Sequence, residues 1–190
     1  MSKDETFLAG KLLLAMPQIS DNRFDRSVIF LCAHDDQGAM GLQINTIQEN
    51  IDFTGLLKQL GIVGEEDQID LDLPVYQGGP VDKGRGFLLH PVTFKREDSI
   101  IIDNTYGVTG TVDALKQIAD EGAEDDMLFI LGYAGWTAGQ LEQELQENTW
   151  LTAPATEELI FHTPPEQRWE KAIRSIGVDP SFLSAEVGHA

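Results

Sequence analysis

The 190 residues contain a single cysteine, Cys32, so no disulfide within the chain can brace the fold. It sits inside the apolar run Val28 to Ala33, which marks it as a buried, protonated thiol and not a nucleophile. Basic residues are scarce. Thirteen Lys and Arg stand against 32 Asp and Glu, a formal net charge of −19. Nucleic-acid affinity comes from basic side chains neutralising phosphates, so direct DNA binding is disfavoured. The densest basic pairs, Lys83 with Arg85 and Lys95 with Arg96, are isolated, and the acidity reads as solvated surface. No run approaches the ~20 consecutive apolar residues of a membrane helix. Leu12 to Met16 is too short and too near Pro17 for a signal sequence. The expectation is a soluble cytoplasmic chain.

Several chemical signatures are also missing. Neither phosphate-binding fingerprint, Gly-x-x-x-x-Gly-Lys-Ser/Thr or Gly-x-Gly-x-x-Gly, occurs. A hydrolase elbow Gly-x-Ser-x-Gly laid on Gly132 would put its nucleophile at Ala134 and its last glycine at Trp136, so hydroxyl and spacing both fail. His34, Asp35, Asp36 and His90 are ligand types for zinc, but no two histidines share a metal-site spacing; a turn and a strand end explain them as well. No metal and no cofactor are expected.

With 42% hydrophobic and 24% charged residues the chain has an ordinary globular composition, and its length fits one domain over residues 1–190. Phe7 to Met16 reads as a strand stopped by Pro17, Arg26 to His34 as a second, and Gly41 to Asn45 as a third. The turn-forming Asp35 to Gly38 makes the last two an antiparallel hairpin. Asp52 or Thr54 can cap a short helix carrying Leu56, Leu57 and Leu60, ended by Gly61, and Gly64 to Asp72 is an acidic loop. Val75 to Gln77, the turn Gly78 to Gly84 and Arg85 to His90 give strand, turn and strand; Ser99 to Asp103 is a further strand. Thr111 to Asp120 is a helix with Val112, Leu115 and Ala119 on one side, and Thr149 to Ala153 a short strand. At the C-terminus Thr163 as N-cap, Pro164 at the first helical position and Glu166 predict a capped helix carrying Trp169, Ala172, Ile173 and Ile176 up to Gly177.

The chain is organised around Met127 to Trp150. Met127 to Leu131 has no polar position and reads as a central strand buried on both faces. Gly132 and Gly135 predict a sharp turn, and Thr137 with Gln140 a capping box opening a helix that buries Leu141 and Leu145. Strands outnumber helices without strict alternation, the pattern of a mixed α+β domain.

Gly10 to Pro17, Arg26-Ser-Val-Ile with His34, Gly38 to Asn45, Gly78-Gly-Pro-Val81 with Leu88-Leu-His90, Gly132 to Leu141 and the ending Gly188-His-Ala190 form an ordered set. In that order, over nearly the full chain, they resemble the YqgE/AlgH family of bacterial proteins. The resemblance implies a largely antiparallel bifurcated sheet rolled into a pseudo-barrel with flanking helices, in the bacterial cytoplasm. It also brings the label of transcriptional regulator, without a biochemical mechanism attached.

Two readings of the central turn stand. Gly135, Trp136, Thr137, Gly139 and Gln140 gather an aromatic face, a hydroxyl, an amide and backbone donors, the mixture that recognition sites use. Equally, the glycines permit close packing, Trp136 anchors a core, and Thr137 and Gln140 cap a helix. Arg26 and Asn45 flank apolar strands, and with Gly78, Gly79, Pro80 and His90 they join one surface if the sheet brings these loops together. The expected function is binding of a protein or small-molecule partner, with any effect on transcription indirect. The alternative is a nucleotide or metabolite sensor, or an enzyme, using Gly132 to Gln140 with Arg26, His34 or His90 supplying charge or proton transfer.

Overall fold

The structure, a computed structural model, describes residues 7–69, 71–94, 97–110, 112–123 and 126–183. In chain order the elements are β1 (Lys11–Ala15), β2 (Val28–Asp35), β3 (Gly38–Gln43), α1 (Phe53–Gln59), β4 (Val75–Gln77), β5 (Val81–Pro91), β6 (Ile100–Ile102) and β7 (Tyr106–Thr109). They continue as α2 (Val112–Glu121), β8 (Leu128–Thr137), α3 (Gln140–Gln146), β9 (Trp150–Pro154), α4 (Glu157–Phe161) and α5 (Pro165–Ser175). The strands form one curled sheet in the order β6-β7-β5-β8-β3-β2-β1-β9, with β4 also on β8. All pairings are antiparallel except β4 with β8. The chain is therefore α+β, a bifurcated half-barrel with flanking helices. No helix among the described residues is long and apolar enough to cross a membrane.

The fork lies on β8. Its first half, Leu128 to Leu131, pairs with β5 on one side and β4 on the other, whereas Ala134 to Thr137 pairs with β3. Gly78 sits in the crotch, its N–H donating to Leu131 and its carbonyl accepting from Gln43. Gly132, at φ +77°, makes the kink between the two halves without breaking the strand. The expected turn and helix start are thus displaced: β8 runs through Gly132 and Gly135 to Thr137, and the chain turns only at Ala138 and Gly139. Pairing to β5 up to Tyr133 and to β3 from Ala134 carries the strand through the kink, which the glycines alone could not reveal.

Apolar side chains on both faces of β8 and β1 separate three core clusters. Leu128 and Ile130 join Leu12, Leu14, Phe30 and Trp169 in the first. Phe129 and Leu131 pack with Phe53, Leu57, Leu115 and Ile118 of α1 and α2. Leu13, Ile29, Ala134, Trp136, Leu141 and Trp150 form the third. The doubly buried central strand is as the sequence predicts. Other boundaries move: β1 starts at Lys11 and not Phe7, and β5 already begins at Val81 inside the expected glycine-rich turn. The buried face of α2 is Ala114, Leu115 and Ile118, with Val112 exposed; Thr111 lies outside the described residues, as do Lys95, Arg96 and Gly188 to Ala190. Asp52 caps α1 through the N–H of Gly55, as expected. Thr163 does not cap α5, which opens one residue later with Pro164 at the cap; its hydroxyl donates to the Glu158 carbonyl.

Candidate functional site

The end of β8 faces α3, the start of β9 and the loop between β1 and β2, and a groove of about 740 Å³ runs between them. Its base is aromatic. Trp136 and Trp150 meet edge to face at 6.0 Å, and Phe24 meets Trp150 at 5.8 Å. One carboxylate oxygen of Glu144 accepts from both indoles, at 2.8 Å from Trp136 and 2.7 Å from Trp150. Its other oxygen accepts from the Gln140 amide at 3.0 Å. Buried indole N–H groups need an acceptor, so α3 supplies one through a residue one turn beyond Gln140. The result is a rigid plate carrying a partly exposed negative charge. Arg23, paired with Asp21 at 2.6 Å, and Glu147 stand at the rim.

Of the residues predicted for a site, Pro80, Gly135, Trp136 and Gln140 line this groove. Thr137 is not the N-cap of α3. Gly139 occupies that position at φ +77°, with no side-chain cap, and the Gln140 side chain reaches back to accept from the Thr137 N–H at 3.0 Å and its hydroxyl at 3.3 Å. Half of the expected capping box is therefore made, across a turn instead of a helix start. α3 has seven residues.

The remaining candidates lie outside the groove. Gly78 and Gly79 press against β8 at the fork. Asn45 accepts from the Val28 N–H and donates to the Arg26 carbonyl, each at 2.9 Å, fastening the start of β2. Arg26 lies over the Trp169 ring, its guanidinium 5.3 Å from the centroid. His34 is tied down: Nδ1 accepts from the Leu8 N–H at 3.0 Å, which leaves Nε2 to donate to Glu142 at 2.6 Å. Its ring and the backbone N–H of Glu142 hold that carboxyl below its ordinary range, the backbone bond having the larger effect. His90 is wholly buried between Pro91 and Thr109. Burial pushes its pKa down, and the Pro91 carbonyl, accepting from Nδ1, opposes this. Cys32 is half-buried, with its thiol pushed up to about 12 by desolvation, so it is a thiol at neutral pH. Among the described residues no three His, Cys, Asp or Glu are placed to hold a metal ion.

Sequence reasoning missed Glu144, Trp150 and Phe24 as groove residues. The signal for Glu144 was faint: it stands four residues after Gln140, the spacing that puts both on one helix face.

A family model described as AlgH-like matches residues 12–181. A UPF0301 protein of Beijerinckia indica is 46% identical over 201 residues, covering 100% of this chain and 98% of that one. One from Methylocella silvestris is 46% identical over 190 residues, covering 97% and 92%. The solution structure of the AlgH protein from Pseudomonas aeruginosa superposes with a TM-score of 0.78 at 37% identity, over the whole of both chains. A crystal structure of a Corynebacterium diphtheriae protein shares the fold at TM-score 0.69 and 20% identity, covering 92% and 89%.

Proposed function

The chain belongs to the AlgH-like (YqgE/AlgH) family, and on that premise we propose that it acts by binding a partner, protein or small molecule, at the groove over Trp136. Any influence on transcription is then indirect, exerted as one domain in the bacterial cytoplasm and without direct contact to DNA, which a net charge of −19 opposes. The observation that carries this reading is the Glu144 carboxylate shared by Trp136 and Trp150, a pre-formed aromatic wall with a polar group already oriented. Such a wall needs no reordering on binding, which favours affinity.

An enzyme using the same segment draws less support. His34 and His90, the residues suited to proton transfer, are each committed to hydrogen bonds and neither lines the groove.

The test is a thermal-shift screen of nucleotides, metabolites and amines, with tryptophan fluorescence in parallel, because two of the three tryptophans border the groove. A saturable shift lost in folded Trp136→Phe or Gln140→Ala variants supports the reading. Variants that bind every identified ligand as well as the parent refute it.

A further inference from the structure

We propose that a second cavity, beside Arg168 on α5, binds a small monocarboxylate with an apolar body. The site is separate from the Trp136 groove and does not depend on it.

In a chain this acidic, a buried guanidinium should find a carboxylate. Arg168 is 3% exposed, yet among the described residues it forms no ion pair. Its Nη1 donates to the Ile44 carbonyl, and its central carbon lies 5.3 Å from the centre of the Tyr76 ring. Nε is buried without a partner. Among the described residues Arg168 makes no other hydrogen bond, so the Nε–Nη2 edge, the side of the fork that matches a carboxylate in bidentate fashion, holds no acceptor there. A buried cation left this way is costly unless something anionic completes it.

Arg168 lines a cavity of about 500 Å³ whose apolar walls include Tyr76, Leu128, Phe161 and Pro164. One fixed cation within apolar walls suits an amphipathic anion: the carboxylate meets the guanidinium and the carbon body covers the rings. Two polar residues refine the class. Asp72 also borders the cavity without forming an ion pair with Arg168, and its charge repels dianions more than monoanions. His162 borders the cavity as well, but its charge is taken up by Asp126 at 2.6 Å and Glu158 at 3.6 Å, so Arg168 is the cation left to meet a carboxylate there.

The full chain is titrated by calorimetry with benzoate and hexanoate, with uncharged benzamide and inorganic phosphate as comparisons, and the bound state is mapped by backbone amide NMR shifts. Expected are saturable one-to-one binding of the carboxylates, benzamide weaker by at least about tenfold, and shifts centred on Tyr76, Phe161 and Arg168. Arg168→Gln should abolish binding. Because Arg168→Gln also removes the buried bond to the Ile44 carbonyl, Asp72→Asn is measured as well, and removing the like charge should tighten carboxylate binding about two- to fivefold. Several results overturn the proposal: no saturable carboxylate binding up to tens of millimolar, benzamide equal to benzoate, phosphate preferred over both carboxylates, shifts centred on Trp136, or Asp72→Asn without effect.

Discussion

Gly78 and Gly132 approach so closely that a Cβ on Gly78 would stand 2.2 Å from the Gly132 carbonyl oxygen. The contact is backbone against backbone, so neither side can yield by changing a rotamer. Gly78 also ties β4 to β8 through the Leu131 carbonyl and β3 to the same point through the Gln43 N–H, so the division of the sheet passes beside this contact.

Gly78→Ala should therefore separate the strands at the fork. The expected cost is about 3 kcal/mol or more, the upper end for an overpacked interior, seen as a lower urea midpoint or loss of soluble protein. Gly84→Ala is the control. Its added methyl meets nothing within 4 Å, and stability should change by less than about 0.5 kcal/mol. Equal loss in both variants would show that the fork is not the sensitive point.

Glu144 carries the groove in a different manner. Glu144→Leu strands the N–H groups of Trp136 and Trp150, which are 7% and 3% exposed. Two unsatisfied donors of this kind should cost about 2–4 kcal/mol. Glu144→Gln keeps an oxygen that can accept from the indoles and should cost clearly less. Denaturant unfolding followed by tryptophan fluorescence reads both, and identical losses in the two variants would deny Glu144 this role.

The central strand, the hairpin of β2 and β3 and the caps of α1 were legible because each depends on local chemistry: a wholly apolar run, a two-residue loop after Asp35, an Asp one position before the helix. The length of β8 was not, since Gly132 and Gly135 signal a turn locally, whereas pairing of Leu131 and Tyr133 with β5 and of Ala134 to Thr137 with β3 carries the strand past them. β7 and α4 escaped because they are short and gain their stability from neighbours, Tyr106 packing on Phe30 and Ile160 in the same core cluster. The candidate site divided in the same way. Trp136 and Gln140 announced themselves by residue type, but Glu144, Trp150 and Phe24 come from three different elements and meet only in space. Asn45 looked like a recognition group because a polar residue beside apolar strands satisfies either a ligand or the backbone, and here it satisfies the backbone.

Asn45→Ala tests that assignment. Losing the bonds to the Val28 N–H and the Arg26 carbonyl should destabilise the protein by about 1–2 kcal/mol, with ligand binding at the Trp136 groove unchanged. Unaltered stability together with impaired binding would return Asn45 to the site.

His90 should make the fold sensitive to acid. Its folded pKa lies below the unfolded value of about 6.5 because burial disfavours the charged ring, an effect that the bond donated to the Pro91 carbonyl only partly opposes. Between those two values the unfolded chain binds the extra proton, so stability rises with pH across the interval. The contribution is fully present above the unfolded pKa and is lost as pH falls through it toward the folded one. His162 works in the opposite direction: Asp126 raises its pKa, and its stabilisation is present at low pH and lost as pH rises through the folded value. Because that group is exposed, its effect is small. The unfolding free energy of the parent should therefore decline on going from pH 7 to pH 5, and the decline should be shallower in His90→Gln, which has no proton to take up. A His162→Asn variant with the parent's slope would exclude the exposed ring as the cause. Parallel pH profiles for the parent and His90→Gln would mean that His90 is not the group through which acid acts.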